Sequence, residues 1–190
     1  MSADAALAAA GIAVYLVLGE RVLRRGRARG FARGPDDRST TLVTAGANVL
    51  GVALPWLWRA FAPAPAPLPA GARSALALTL AVGIALRVAA MRALGERFTR
   101  TLVVAPDQAL ATDGPYRHVR HPGYLAALVV FPSYAALGAS ALAAGVAALA
   151  LFAAAYAVRI PAEERMLERA FGERWRDYRA RTKRLLPWVF

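Results

Sequence analysis

The chain has 190 residues, 58% of them apolar, with no cysteine, two histidines and a net charge of +12 carried almost wholly by arginine, Lys183 being the only lysine. That apolar fraction is too high for an ordinary soluble domain and puts the membrane class first. The missing cysteines exclude disulfide scaffolds, thiolate zinc sites and cysteine nucleophiles, and His118 and His121 alone cannot complete a three-histidine site, so no metal is expected.

Residues Ala3 to Leu18 are nearly all apolar, and with Val22 and Leu23 beyond Glu20 and Arg21 the segment is just long enough to cross ~30 Å of hydrocarbon. Its basic residues follow the apolar run, which predicts an uncleaved first span where a signal peptide would have them in front. Arg21 to Arg38 holds seven arginines with Gly26, Gly30, Gly34 and Pro35, and reads as a basic loop. A second span is predicted from about Thr41 to Phe61, with Trp56 and Trp58 near its far end, where indoles favour the headgroup zone. The connector Ala62 to Ala70, APAPAPLPA, cannot continue a helix because alternate prolines remove backbone donors. A third span is predicted from about Ala72 to Leu94, with Arg87 inside it expected to snorkel toward the interface.

Beyond the polar segment Gly95 to His121, Pro122 to Arg159 supplies 38 mostly apolar residues, interrupted near Leu137 to Ser140 by Gly138. Two further spans forming a tight hairpin fit that length. In the tail, Ala162 to Tyr178, the residues Met166, Leu167, Ala170, Phe171, Trp175 and Tyr178 recur at three- and four-residue spacing, which predicts an amphipathic helix on the membrane surface. The expected fold is an all-α integral membrane protein of about five transmembrane helices, with a C-terminal helical hairpin and an amphipathic cytoplasmic tail helix. Residues 1–94 form a three-span region and 95–190 a catalytic region. The stretches Arg21 to Arg38, Arg92 to Arg120 and Arg165 to Arg184 are basic and the Pro/Ala connector is neutral, so the N-terminus is expected outside and the three basic stretches in the cytoplasm. The Ala/Arg-rich composition suggests a bacterial inner membrane. Arginines placed in loops beside apolar segments, without an aromatic platform, indicate topology and membrane lipids, not nucleic acid.

The densest functional groups lie in Leu110 to Tyr124, LATDGPYRHVRHPGY. Gly114-Pro115 sets a turn, Tyr116 offers a ring and a hydroxyl, and Arg120-His121-Pro122 places a charge and an imidazole at the mouth of the hairpin. A basic interfacial loop with proline in the first turn of a helix explains Arg120 and Pro122, but explains His121 with two tyrosines poorly. Because a hairpin brings its ends together, Arg159 and Glu163 at its far end should face the His121 loop and form one pocket with it. Glu168, Arg169, Arg174 and Asp177 read as a solvated charged face.

In combination and order, LATDGPYRHVRHPGY, a hairpin of this length, the pattern Arg159, Glu163, Glu164, then Phe171-Gly172 and a tail with Tyr178, a basic run and Pro187 make Thr101 to Pro187 resemble the isoprenylcysteine carboxyl methyltransferase family, which shares motifs with phospholipid N-methyltransferases. The resemblance implies S-adenosylmethionine as methyl donor in a cytoplasmic pocket. It implies that the backbone of Gln108, Ala109, Leu110 and Ala111 lines the cofactor, that Tyr116 and His121, Pro122, Gly123 and Tyr124 hold it, and that Glu163 and Glu164 contact it. Arg159 would face the acceptor, making Arg159 and Glu163 the catalytic pair. A glutamine that contacts the cofactor in eukaryotic members has no counterpart near Thr101. A sulfonium donor is already activated, so alignment is the main requirement. The acceptor is expected to be lipophilic or small: a carboxylate suits a bidentate arginine in a dry pocket, and an amine or thiol would need Glu163 or Glu164 as base. A phospholipid N-methyltransferase, a thiol S-methyltransferase and a non-catalytic membrane binding or transport protein stand as alternatives.

Overall fold

The structure, a computed structural model, describes residues 3–25, 37, 39–62, 67–95 and 109–186. Among these residues are six α-helices: α1 (Ala3–Arg25), α2 (Thr40–Phe61), α3 (Ala70–Leu94), α4 (Pro122–Ala139), α5 (Leu142–Phe171) and α6 (Glu173–Arg181), with a 3₁₀ turn at Gly114–Arg117. Among the described residues the β pairing is a single bridge between Val119 and Lys183. The chain is an all-α membrane protein. Among the described residues four helices, α2 to α5, are long and apolar enough to cross a membrane, and α1 adds a shorter apolar stretch, Asp4–Val17. Glu20, Arg21, Arg24 and Arg25 shorten that run.

The helix α4 lies at the centre, packed against α1, α2, α3 and α5. Ala126, Val130, Phe131 and Tyr134 are enclosed, while Leu50 on α2, Leu78 and Val82 on α3 and Val146 on α5 point outward, where lipid would cover them. Hydrocarbon gives little hydrophobic drive between helices, so small residues that let backbones approach must supply the packing. Gly51 of α2 meets the rings of Phe131 and Phe152, and Gly83 of α3 meets Val129 and Val130; a Cβ on either would fall within 3.0 Å of those side chains. Phe131 and Phe152 stack at 4.1 Å, and Tyr15 of α1 meets Phe131 edge-on at 5.4 Å.

Gly138 does not break the hairpin. It stays inside α4, where an added Cβ would lie 2.9 Å from Pro55, and the chain turns at Ser140 in the left-handed region at φ 55°. Ala141 N–H donates to the Ala136 carbonyl and Ser140 N–H to Leu137, which closes the helix as a Schellman motif with serine in the position glycine usually takes. Nor does a separate tail helix begin at Ala162. The helix α5 runs through Pro161 to Phe171, and Gly172 at φ 52° ends it, so only Glu173–Arg181 forms a helix of its own. Thirty residues at ~1.5 Å per residue exceed a ~30 Å hydrocarbon layer, so α5 is long enough for its charged last third to extend beyond such a layer.

Candidate active site

Helical periodicity puts Phe152, Tyr156, Arg159 and Glu163 on one face of α5, at steps of four, three and four residues. That face meets the start of α4. The Tyr124 hydroxyl donates to Glu163 and accepts from Arg159 Nε at 3.3 Å, and the Tyr124 ring lies 4.5 Å from Tyr156 and 5.6 Å from His121. His121 Nδ1 is 3.9 Å from Glu163. The two ends of the hairpin therefore meet directly, through one phenol.

Arg159, expected to form a pocket with the His121 loop, is 4% exposed. Its Nη1 donates to Asp37 at 3.2 Å, Thr40 Oγ1 at 3.0 Å and Thr41 Oγ1 at 2.8 Å, at the entry to α2. Thr41 N–H and the Thr40 hydroxyl in turn donate to Asp37 Oδ1. Burial pushes the Asp37 carboxyl up, but the hydrogen bonds from Thr41 and Thr40 and the Arg159 charge outweigh it and hold the group below its ordinary value. These three residues carry no motif. The available signal was an aspartate just ahead of an apolar helix, which by itself reads as a cap.

A second cluster holds the loop in place. Glu164, one residue and therefore ~100° around α5 from Glu163, accepts from Arg120 Nε at 3.0 Å and Arg184 Nη2 at 2.8 Å, with His121 Nε2 at 3.3 Å. Backbone bonds run alongside: Arg120 N–H to Lys183, His121 N–H to Arg184 and Lys183 N–H to His118. Arg120 also donates to the Thr182 carbonyl, and the Tyr178 hydroxyl to the Tyr116 carbonyl at 2.8 Å. The chain after α6 thus clasps the segment that leads into α4. Burial, with Glu163 nearby, pushes the Tyr116 phenol above its usual range, so it stays protonated.

Of the residues the resemblance marks, Tyr116, His121, Pro122, Gly123, Tyr124, Glu163 and Glu164 gather at this end of the bundle, with Ala111 buried and Ala109 exposed in the approach. Gln108 and Thr101 lie outside the described residues. Arg87 of α3 lies over the Tyr15 ring at 5.2 Å and reaches the first turn of α4, its Nη1 sitting 3.0 Å from where a Cβ on Gly123 would be. Among the described residues no group of three or more His, Asp or Glu is placed to hold a metal.

A bundle of apolar helices long enough to cross a membrane, with a polar, tyrosine-centred seam at one end of its C-terminal hairpin, defines an integral membrane protein. Residues 75–169, half of the chain, match the isoprenylcysteine carboxyl methyltransferase family, and the chain belongs to that family of membrane methyltransferases. The match begins within α3 and ends within α5, so it takes in Arg87 and the whole hairpin and leaves out Asp37 and the clasping tail. No curated protein matches the chain.

Proposed function

We propose that this methyltransferase transfers the methyl group of S-adenosylmethionine to a lipophilic or small acceptor, a carboxylate in preference, at the cytoplasmic face of a bacterial inner membrane. The observation that carries the reading is the Tyr124 hydroxyl joining Glu163 to Arg159, because it sets a group suited to a cation beside one suited to an anion. The residues fit a sulfonium nucleoside. The Glu163 side chain is 26% exposed and lies beside the rings of Tyr124 and His121, and carboxylates and aromatic faces both stabilise a cation. When bound, the donor supplies an electrophilic methyl, whose transfer to a carboxylate forms a C–O bond and leaves the C–S electron pair on sulfur. A carboxylate acceptor has no proton to lose, so the protein needs no base for it.

The roles of the chain's own groups follow. Ala109 to Ala111, Tyr116, and His121 to Tyr124 hold the donor, and Glu163 meets its positive charge. Glu164 acts through Arg120 and His121 by fixing the loop. Arg159 orients the acceptor oxygen, and the buried surroundings strengthen that contact by excluding water. Its Nε and Nη1 already serve Tyr124 and Asp37, which favours a precise but limited grip over a wide bidentate clamp. For an amine or thiol acceptor, Glu163 is the base within reach.

The deciding experiment incubates purified protein with methyl-labelled S-adenosylmethionine and a bacterial lipid extract. Label released by mild alkali as methanol supports a carboxyl ester. Alkali-stable label moves the acceptor to nitrogen or sulfur, and no labelled product from folded protein overturns methyl transfer and favours a binding or transport role.

A further inference from the structure

Asp37 lies ahead of α2, outside the family match and far in sequence from the loop and hairpin, yet its side chain is 1% exposed and pairs with Arg159 across 122 residues. An arginine side chain is long and rich in rotamers, and a single bond from Nε to Tyr124 would let the guanidinium plane swing. Bonds from Nη1 to Asp37, Thr40 and Thr41 fix that plane at a second nitrogen. Asp37 Oδ1 also orders the two threonines, so the carboxylate organises the whole cradle. It supplies as well the counter-charge that a guanidinium removed from water requires.

We propose that Asp37 is a positioning residue for methyl transfer, holding the Arg159 guanidinium, with Thr40 and Thr41, in the orientation that meets the acceptor. This rests on the role given to Arg159 above. The competing explanation is a buried ion pair that merely staples α2 to α5. The two differ in where a loss is felt: a staple changes the amount of folded protein, and a positioning residue changes turnover only through Arg159.

Oδ2 of Asp37 has no hydrogen-bond partner among the described residues, so Asp37→Asn keeps the Oδ1 acceptor and puts an amide nitrogen where no donor needs an oxygen. The test measures Asp37→Ala, Asp37→Asn, Arg159→Lys and the double variant Asp37→Ala/Arg159→Lys, as full-length folded protein in detergent. Turnover is read with labelled S-adenosylmethionine and the lipid extract, and donor-site affinity by calorimetry with S-adenosylhomocysteine. Asp37→Ala should lower turnover about tenfold with product affinity within about twofold, and Asp37→Asn should recover most of it. In the Arg159→Lys background Asp37→Ala should cost nothing further, because the group it positions is gone. If Asp37→Ala does not fold, Thr41→Val replaces it, removing one acceptor of Nη1 with little change of shape, and its loss should likewise vanish in the Arg159→Lys background. Equal losses in both backgrounds, or a fall in product affinity matching the fall in turnover, overturn positioning in favour of a staple. Wild-type turnover in Arg159→Lys overturns the acceptor role of Arg159, whereas a slow Arg159→Lys beside a fully active Asp37→Ala overturns the positioning role alone.

Discussion

Glu163 and Glu164 are neighbours in the chain and meet different partners, because one residue of helix turns a side chain by ~100°. Glu163 takes the Tyr124 hydroxyl and keeps part of its surface open, and Glu164 is buried beneath Arg120, Arg184 and His121. Their amide variants should therefore fail in different ways. Glu164→Gln leaves two arginines without their shared carboxylate, and breaking a buried pair of this kind costs about 3 kcal/mol. Thermal unfolding in detergent should show that loss together with weaker S-adenosylhomocysteine binding. Glu163→Gln should leave stability within about 1 kcal/mol and lower turnover and donor affinity together. A stable Glu164→Gln with normal binding would show that the clasp is not what orders the loop.

Tyr124 offers a ring and a hydroxyl that can be separated. Tyr124→Phe keeps the contacts to Tyr156 and His121 and removes the link between Glu163 and Arg159. Turnover should fall about tenfold, the worth of one such hydrogen bond, with donor affinity changed little. Tyr124→Ala should in addition weaken donor binding, as measured by calorimetry. If Phe and Ala behave alike in binding and turnover, the ring contributes nothing to the donor site.

The Asp37 carboxyl is held below its ordinary value, so the sign of its linkage is fixed. Its contribution to stability is complete above the unfolded carboxyl value of about 4 and is lost as pH falls through the lower folded value. Unfolding of the wild type and of Asp37→Asn, compared from pH 7 down to pH 3 in one detergent, should show a gap that is constant at the upper end and narrows below about pH 4. A gap that widens on acidification would mean that the folded carboxyl sits above its unfolded value.

Gly51 fills a place where two rings leave no room for a methyl group, with Phe152 carbons at 2.6 and 2.8 Å from a Cβ built there. Gly51→Ala should cost about 1 to 3 kcal/mol through overpacking, read as a lower melting temperature, while Gly46→Ala, where nothing lies within 4 Å, should be neutral or slightly stabilising.

The orientation can be decided by reporter fusions. A fusion in the neutral connector before α3 should report the periplasm, and one after the basic tail the cytoplasm. The reverse pattern would separate the Tyr124 seam from any cytoplasmic donor.

Hydropathy and arginine placement alone marked the membrane class, the second, third and hairpin spans and the proline-rich connector, because the cost of leaving backbone unpaired in lipid restricts apolar segments of that length to helices. The spacing of Arg159 and Glu163 could also be read in advance, since residues four apart on a helix share a face whatever it packs against. Where helices stop was harder. Gly138 looks like a breaker in the sequence and proves to be a contact with Pro55, and whether a glycine ends a helix or lets another helix approach depends on its neighbour across the bundle. The same holds for charge: the sequence puts Arg87 on a membrane span but does not say that Tyr15 and Gly123 make a place for it. Asp37, Thr40 and Thr41 reach Arg159 only because α2 packs along α5, and a partner more than a hundred residues away leaves no periodic trace. Local spacing determined which groups share a helix face, and tertiary packing alone decided that Asp37 answers Arg159 and that Glu164 ties the tail to the loop.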